Sequence, residues 1–251
     1  MNPTFKDLFS PQAADYARFR PVYPPQLFAW VAAQAPGRRL AIDLGAGNGQ
    51  ATVALASHFR HVVGIEPSDA QRANAARADN VEYRDGSAEM TGVGDATADL
   101  MTVAQAFHWF RPEPFFAEVR RVVRPGGCLA LWCYGLTRIN PAVDAAVFAL
   151  YEGLLGPYWE PERRLVENGY AGVTVPFTEL PAPSFEMHLD WTLEHLLGYL
   201  GTWSALKRYQ RDRSGAVDRT LDDALAAIAA AWGPEGTRRV TWPLSLRAFR
   251  V

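Results

Sequence analysis

Between residues 40 and 134 the apolar positions fall in short unbroken runs, and polar turns or stretches of helix formers separate them. The runs Leu40–Leu44, His61–Ile65, Val81–Arg84, Asp99–Ala104 and Cys128–Tyr134 read as strands. Helices are predicted over about Gln50–Phe59, from a Ser68 or Asp69 cap to about Ala78, and over Glu113–Val123. The turn Arg124-Pro-Gly-Gly127 precedes the fifth strand, and a helix over Gln26–Gln34 precedes the first. Continuous apolar strands in alternation with helices are the mark of a parallel sheet covered on both faces.

Beyond Tyr134 the pattern loosens. Asn140–Leu155 places Val143, Val147, Phe148 and Tyr151 at spacings that favour one helical face, and a proline- and glycine-broken stretch then runs to about Pro183. Ser184–Leu189 reads as a strand, Thr192–Tyr199 and Thr220–Trp232 as helices. Arg238–Val251 alternates with β-branched and aromatic residues and reads as a last strand, antiparallel within the sheet. The expectation is an α/β fold: a doubly wound, mostly parallel seven-stranded sheet with a final antiparallel strand and a helical cap. It would be one domain over 1–251, with a ligand-binding core at about 1–135 and pocket-shaping cap helices at about 136–235. Right-handed crossovers then bring the strand ends, and any ligand, to one edge of the sheet.

Composition narrows the function classes more than it names one. The 251 residues are 49% hydrophobic and 21% charged, with a formal charge of −2, so nothing points to nucleic acid or an anionic membrane. Cys128 and Cys133, the only cysteines, lie five apart on one predicted strand and would face opposite ways, which excludes a bridge between them. No His/Cys/acid cluster has metal-ligand spacing, so no metal is expected. No apolar run has the length of a signal peptide core or a membrane span, and a cytoplasmic location is expected. A homodimer is admissible.

The candidate chemistry gathers at Leu40-Ala-Ile-Asp-Leu-Gly-Ala-Gly-Asn-Gly49, an apolar strand ending in a turn almost without side chains and opening a helix. A dinucleotide fingerprint, G-x-G-x-x-G, needs a third glycine where this chain has Gln50; the spacing here is G-x-G-x-G. Asp43, two residues ahead of Gly45, would repel a pyrophosphate but suits a ligand carrying an amino group. Glu66, ending the second strand, fits a ribose diol. A nucleoside with a cationic tail is favoured over NAD.

The blocks Ile42-Asp-Leu-Gly-Ala-Gly-Asn-Gly49, Val63-Gly-Ile-Glu-Pro67, Asp85-Gly-Ser-Ala-Glu89, Ala104-Gln-Ala-Phe-His-Trp109 and Arg121-Val-Val-Arg-Pro-Gly-Gly127 resemble, in order and spacing, the class I S-adenosylmethionine-dependent methyltransferases with their Rossmann-like fold. Within that class the chain is similar to the type 11 small-molecule group. Tyr16-Ala-Arg-Phe-Arg-Pro-Val-Tyr-Pro24 resembles the lead-in of trans-aconitate-methyltransferase-like enzymes, while residues 136–251 match loosely. The resemblance implies S-adenosyl-L-methionine as cofactor. Gly45, Ala46 and Gly47 would pass under its methionine part, and Asp43 would hold its amino group, directly or through water. Glu66 would accept the ribose hydroxyls with Pro67 against the adenine, and Ser87 and Ala88 would meet the adenine edge, although the family often has an aspartate where Ser87 stands. Gln105 would lie near the methionyl group, and Tyr16 and Arg20 would close over the cofactor.

On the acceptor side, Tyr23, His108, Trp109 and Trp203 are the candidates, with Ser204 and Tyr209 near the last. His108 is the one placed to act as a general base, should the acceptor need deprotonation. The expected activity is methyl transfer to a small molecule, a carboxylate or hydroxyl slightly preferred. The alternatives are a non-catalytic sensor that binds S-adenosylmethionine or S-adenosylhomocysteine and, less favoured, an NAD-dependent oxidoreductase.

Overall fold

The computed structural model describes residues 19–213, 219–234 and 236–251. Helix α1 (Pro25–Gln34) leads into β1 (Leu40–Leu44), followed by α2 (Gln50–Leu55), β2 (His61–Ile65), α3 (Asp69–Ala73), β3 (Val81–Arg84) and β4 (Ala98–Ala104). A single 3-10 turn, Phe107–Trp109, then precedes α4 (Pro112–Val122) and β5 (Val123–Tyr134). Helix α5 (Pro141–Phe148) passes into a π-helical stretch, Ala149–Leu154. The short α6 (Arg163–Glu167), strands β6 (Thr178–Leu180) and β7 (Phe185–Trp191), helices α7 (Leu193–Gly201), α8 (Ser204–Asp212) and α9 (Arg219–Trp232), and β8 (Arg238–Arg250) complete the chain.

The strands form one sheet in the order β3-β2-β1-β4-β5-β8-β6, with β7 also on β8. Strands β1 to β5 are parallel; β8 runs antiparallel to β5 from Leu244 opposite Tyr134 to Arg250 opposite Cys128. The sheet is therefore eight-stranded among the described residues rather than seven-stranded. The long β8 carries the extra partner: β6 pairs with 248–250 and β7 with 238–244. Three-residue β6 is too short and polar to signal itself by periodicity.

Alternation along β5 divides the core. Cys128, Ala130, Trp132 and Tyr134 pack into one layer with α1, α5, α7 and α9, whereas Leu129, Leu131 and Cys133 pack into the other with α4. The two cysteines are thus buried free thiols on opposite faces, as the period of two requires.

Three local expectations are corrected. Arg124–Gly127 is an irregularity inside β5 rather than a turn ahead of it: the register with β4 shifts between Ala98 and Leu100. Helix α3 stops at Ala73, although the alanines beyond are good helix formers. Asn74 closes it through a side-chain bond to the Ala70 carbonyl, and Ala76 instead donates to Asn48 O (2.9 Å) and accepts from the Tyr83 hydroxyl (2.6 Å). Helix α2 likewise ends at Leu55. Helices α6 and α8 were not foreseen.

Strand β4 is fastened to the start of β1 by a buried charge. Asp99 accepts from the backbone N–H of Arg39 (2.8 Å) and Leu40 (3.0 Å) and pairs with Arg124 (2.8 Å). Removing that carboxylate strands two backbone donors and a guanidinium, so Asp99→Ala should cost about 2–4 kcal/mol. Urea denaturation measures it; a loss under about 1 kcal/mol would show that the clamp is dispensable.

Candidate functional site

The carboxyl ends of β1, β2 and β4 open on a cavity of 560 Å³. Its floor is the turn after β1. Gly45, Gly47 and Gly49 all have positive φ (64°, 55° and 83°), yet their surroundings differ. A side chain at Gly49 would strike the Tyr83 hydroxyl, so this glycine starts α2 in crowded surroundings. Nothing lies within 4 Å of where a Cβ would stand at Gly47, because that face is open for a ligand. Gly45 and Ala46 donate to the Ile65 carbonyl (2.9 and 3.1 Å), which ties the turn to β2. Gln50, at the position that disfavours a dinucleotide site, donates to Pro21 O (2.8 Å) and anchors the lead-in segment against the turn.

Asp43 is the electrostatic centre. It is 1% exposed, and its oxygens accept from Thr52 (2.7 Å) and Thr102 (2.8 Å), one hydroxyl from α2 and one from β4. Burial pushes its carboxyl up to about 6; the two hydroxyls oppose that rise and nearby Glu66 adds to it. A desolvated carboxylate bordering a cavity is short of a cation, and an ammonium group would supply one. Glu66, also buried, accepts from Gly47 N–H and Ser68 N–H, 2.9 Å each, so its carboxylate is held across the mouth of the turn. A carboxylate so oriented suits a diol. These features fit an amino-bearing nucleoside.

On the other side, Gln105 has a left-handed backbone (φ 56°), and its amide pairs with the main chain of Tyr134: Nε2 to the carbonyl (3.0 Å), Oε1 from the N–H (2.8 Å). The side chain therefore stitches the end of β4 to the end of β5 while bordering the cavity. Arg20 donates to the Tyr134 hydroxyl (3.2 Å) and lies over the Tyr199 ring (5.3 Å). His108 is 8% exposed, with Nδ1 3.2 Å from the Tyr170 hydroxyl. Burial, aided by the charge of Arg163, lowers it to about 3. It is neutral at physiological pH, and a base that weak is poorly matched to proton abstraction.

Tyr16 lies outside the described residues. Arg20, Tyr23, Asp43, Gly45, Ala46, Gly47, Glu66, Pro67, Ser87, Ala88, Gln105, His108, Trp109 and Trp203 all border this one cavity. Ser204 does too, whereas Tyr209 packs behind the wall, edge-on to Tyr158 (5.2 Å). Sequence reasoning missed Trp159, Arg163 and Tyr199, which line the wall opposite the glycine turn. Trp159 and Arg163 sit in the proline-broken stretch, where no periodicity marks a facing side. Among the described residues no group of His, Cys, Asp and Glu could hold a metal ion.

A parallel sheet with a glycine turn, a buried acid and a second acid one strand on defines a nucleoside-binding α/β protein. The family description "Methyltransferase domain" matches residues 42–131. A methyltransferase of Dictyostelium discoideum is 38% identical over 225 residues, 86% of each chain. An uncharacterised methyltransferase of Schizosaccharomyces pombe is 28% identical over 229 residues, 89% of each chain. A solved structure described as a type II methyltransferase from Anaeromyxobacter dehalogenans superposes with a TM-score of 0.84 at 48% identity, covering 92% of this chain and 98% of that one. The chain belongs to the class I S-adenosylmethionine-dependent methyltransferases, and S-adenosylmethionine is its cofactor.

The raised Asp43 has two measurable consequences. Its folded pKa lies above the ordinary 3.8, so the stability it allows is fully present below about pH 4 and is lost as pH rises through about 6. Asp43→Asn should therefore raise the melting temperature of the ligand-free protein at neutral pH, by up to ~3 kcal/mol of stability, while weakening S-adenosylhomocysteine binding at least tenfold. In the wild type that affinity should fall below about pH 6, where the carboxyl protonates, and the fall should vanish in the variant. Calorimetric titration across pH tests both; unchanged affinity in the variant would remove Asp43 from the site.

Proposed function

We propose that the chain is a single methyltransferase domain over 1–251 that methylates a small molecule in the cytoplasm, at a carboxylate or a hydroxyl. The observation that carries this reading is the cavity at the strand ends. Its 560 Å³ falls in the range of small-molecule sites, ~300–1,000 Å³, and its far wall is aromatic. Among the described residues no helix is long and apolar enough to cross a membrane. The near-neutral charge gives no field for nucleic acid.

S-adenosylmethionine, when bound, supplies a methyl group already activated by the sulfonium charge. The chain's part is to bind, align and exclude water. Asp43 would hold the amino group and Glu66 the ribose hydroxyls, with Gly45, Ala46 and Gly47 beneath the methionine portion. Pro67, Ser87 and Ala88 would flank the adenine, and Arg20 is placed for the carboxylate. Tyr23, Trp109 and Trp203 would enclose the acceptor. Trp203 is fixed for this by ring contacts to Trp159 (5.6 Å), Tyr151 (5.6 Å) and Tyr199 (5.9 Å).

His108 acts here as a neutral hydrogen-bonding group that positions the acceptor, not as the base. A carboxylate acceptor, ionised at neutral pH, needs none. Incubation with methyl-labelled S-adenosylmethionine and panels of small acids, phenols and amines should give labelled esters or ethers. The rate on an acid should stay flat between about pH 6.5 and 8.5. An ascending limb in that window that disappears in His108→Gln would restore the general base; binding without turnover across the panels would favour a sensor.

A further inference from the structure

We infer that Arg163, stacked on Trp159 and Tyr151 in the cavity that His108 also borders, recognises a carboxylate on the methyl acceptor. The inference rests on the methyltransferase reading of the cavity and specifies its substrate class. The guanidinium carbon stands 5.0 Å from the Trp159 ring centre and 5.7 Å from that of Tyr151. Nε donates to the Tyr151 hydroxyl (3.0 Å), which in turn bonds Glu167, and the Trp159 indole N–H donates to the Tyr151 carbonyl (3.0 Å). One edge of the guanidinium is thereby fixed in place.

Its outer edge is not. Among the described residues neither terminal nitrogen of Arg163 has a hydrogen bond or an ion pair, although the residue borders the cavity. The acids around it are engaged elsewhere: Glu160 with Arg208, Glu89 with the backbone N–H of Arg111 (3.0 Å), and Glu167 with Tyr151. Glu162, also on the cavity, has an interaction of its own. An oriented guanidinium fork with two vacant N–H edges in an aromatic-walled cavity matches a planar anion bidentately.

His108 supplies the complement. With the Tyr170 hydroxyl, 3.2 Å from Nδ1, donating to the ring, the ring proton would stand on Nε2. Nε2 has no hydrogen-bond partner among the described residues. A neutral N–H donor in the same cavity as one guanidinium would suit the two oxygens and single charge of a carboxylate. A phosphate dianion would keep one charge uncompensated.

The test uses protein loaded with S-adenosylhomocysteine and titrated with acetate, benzoate, succinate and citrate, with their primary amides and with inorganic phosphate. At least one carboxylate should bind while its amide does not. Arg163→Gln should weaken that binding about tenfold or more, with Arg163→Lys in between because it keeps the charge and loses the fork. S-adenosylhomocysteine affinity should stay within about twofold in both variants, which shows that they are folded and that the cofactor side is intact. The inference is overturned if no carboxylate binds the loaded protein, if binding persists in Arg163→Gln, or if amides or phosphate bind as well as the acids. Failure of the wild type to bind S-adenosylhomocysteine would instead overturn the cofactor reading beneath it.

Discussion

A desolvated carboxylate at the middle of the sheet is the constraint on which the site depends. Asp43 lies on β1 opposite Thr102 of β4 and Gly64 of β2, so a charged group occupies the row where three parallel strands meet. Burial alone would expel or neutralise it. The fold keeps it through two hydroxyls, Thr102 across the sheet and Thr52 from the helix above, without supplying a countercharge. An ammonium group on a ligand would supply the missing cation. The same arrangement explains the glycine turn, which must pass over Asp43 without side chains and still leave the Gly47 face open.

The surrounding elements serve that geometry. Glu66 is oriented by backbone donors on both sides of the cleft, from Gly47 and from the Ser68 cap of α3, so the turn after β1 and the turn after β2 are locked to each other through one carboxylate. Gln105 does the same between β4 and β5, with its amide standing in for a strand's main chain. The cofactor half is thus built from side chain to backbone bonds of short reach. The aromatic wall is built from ring contacts: Trp203, Trp159, Tyr199 and Tyr151 make edge and tilted pairs that hold Arg163 in place. Rigid polar contacts suit a fixed cofactor.

His108 shows how burial changes the meaning of a residue type. In the sequence a histidine beside a tryptophan past a strand end suggests a proton acceptor. In the fold it is enclosed against Trp109 (4.6 Å) and bonded to Tyr170, and its burial, aided by the charge of Arg163, keeps it neutral. A neutral ring there would favour alignment over proton transfer, and displacement at an activated methyl depends on alignment.

The five core strands and their parallel order were legible because continuous apolar runs between helices admit few other arrangements, and β8 because it alternates. The glycine spacing, Asp43 and Glu66 carried the cofactor side, since backbone-dictated sites leave their mark in short local motifs. What the sequence could not show were β6, the early end of α3, and the acceptor wall. Helix α3 stops where Ala76 finds partners in Asn48 and Tyr83, contacts that no local propensity encodes. Trp159 and Arg163 reach the cavity only because the proline-broken stretch folds back over the strand ends, and the neutrality of His108 follows from that same burial. The sequence by itself determined the fold of the core, which depends on local pattern, and its family resemblance supplied the methyl donor. Which side chains border the cavity beyond the glycine turn, and in what electrostatic surroundings, was decided by tertiary packing, because desolvation and orientation exist only once distant segments meet.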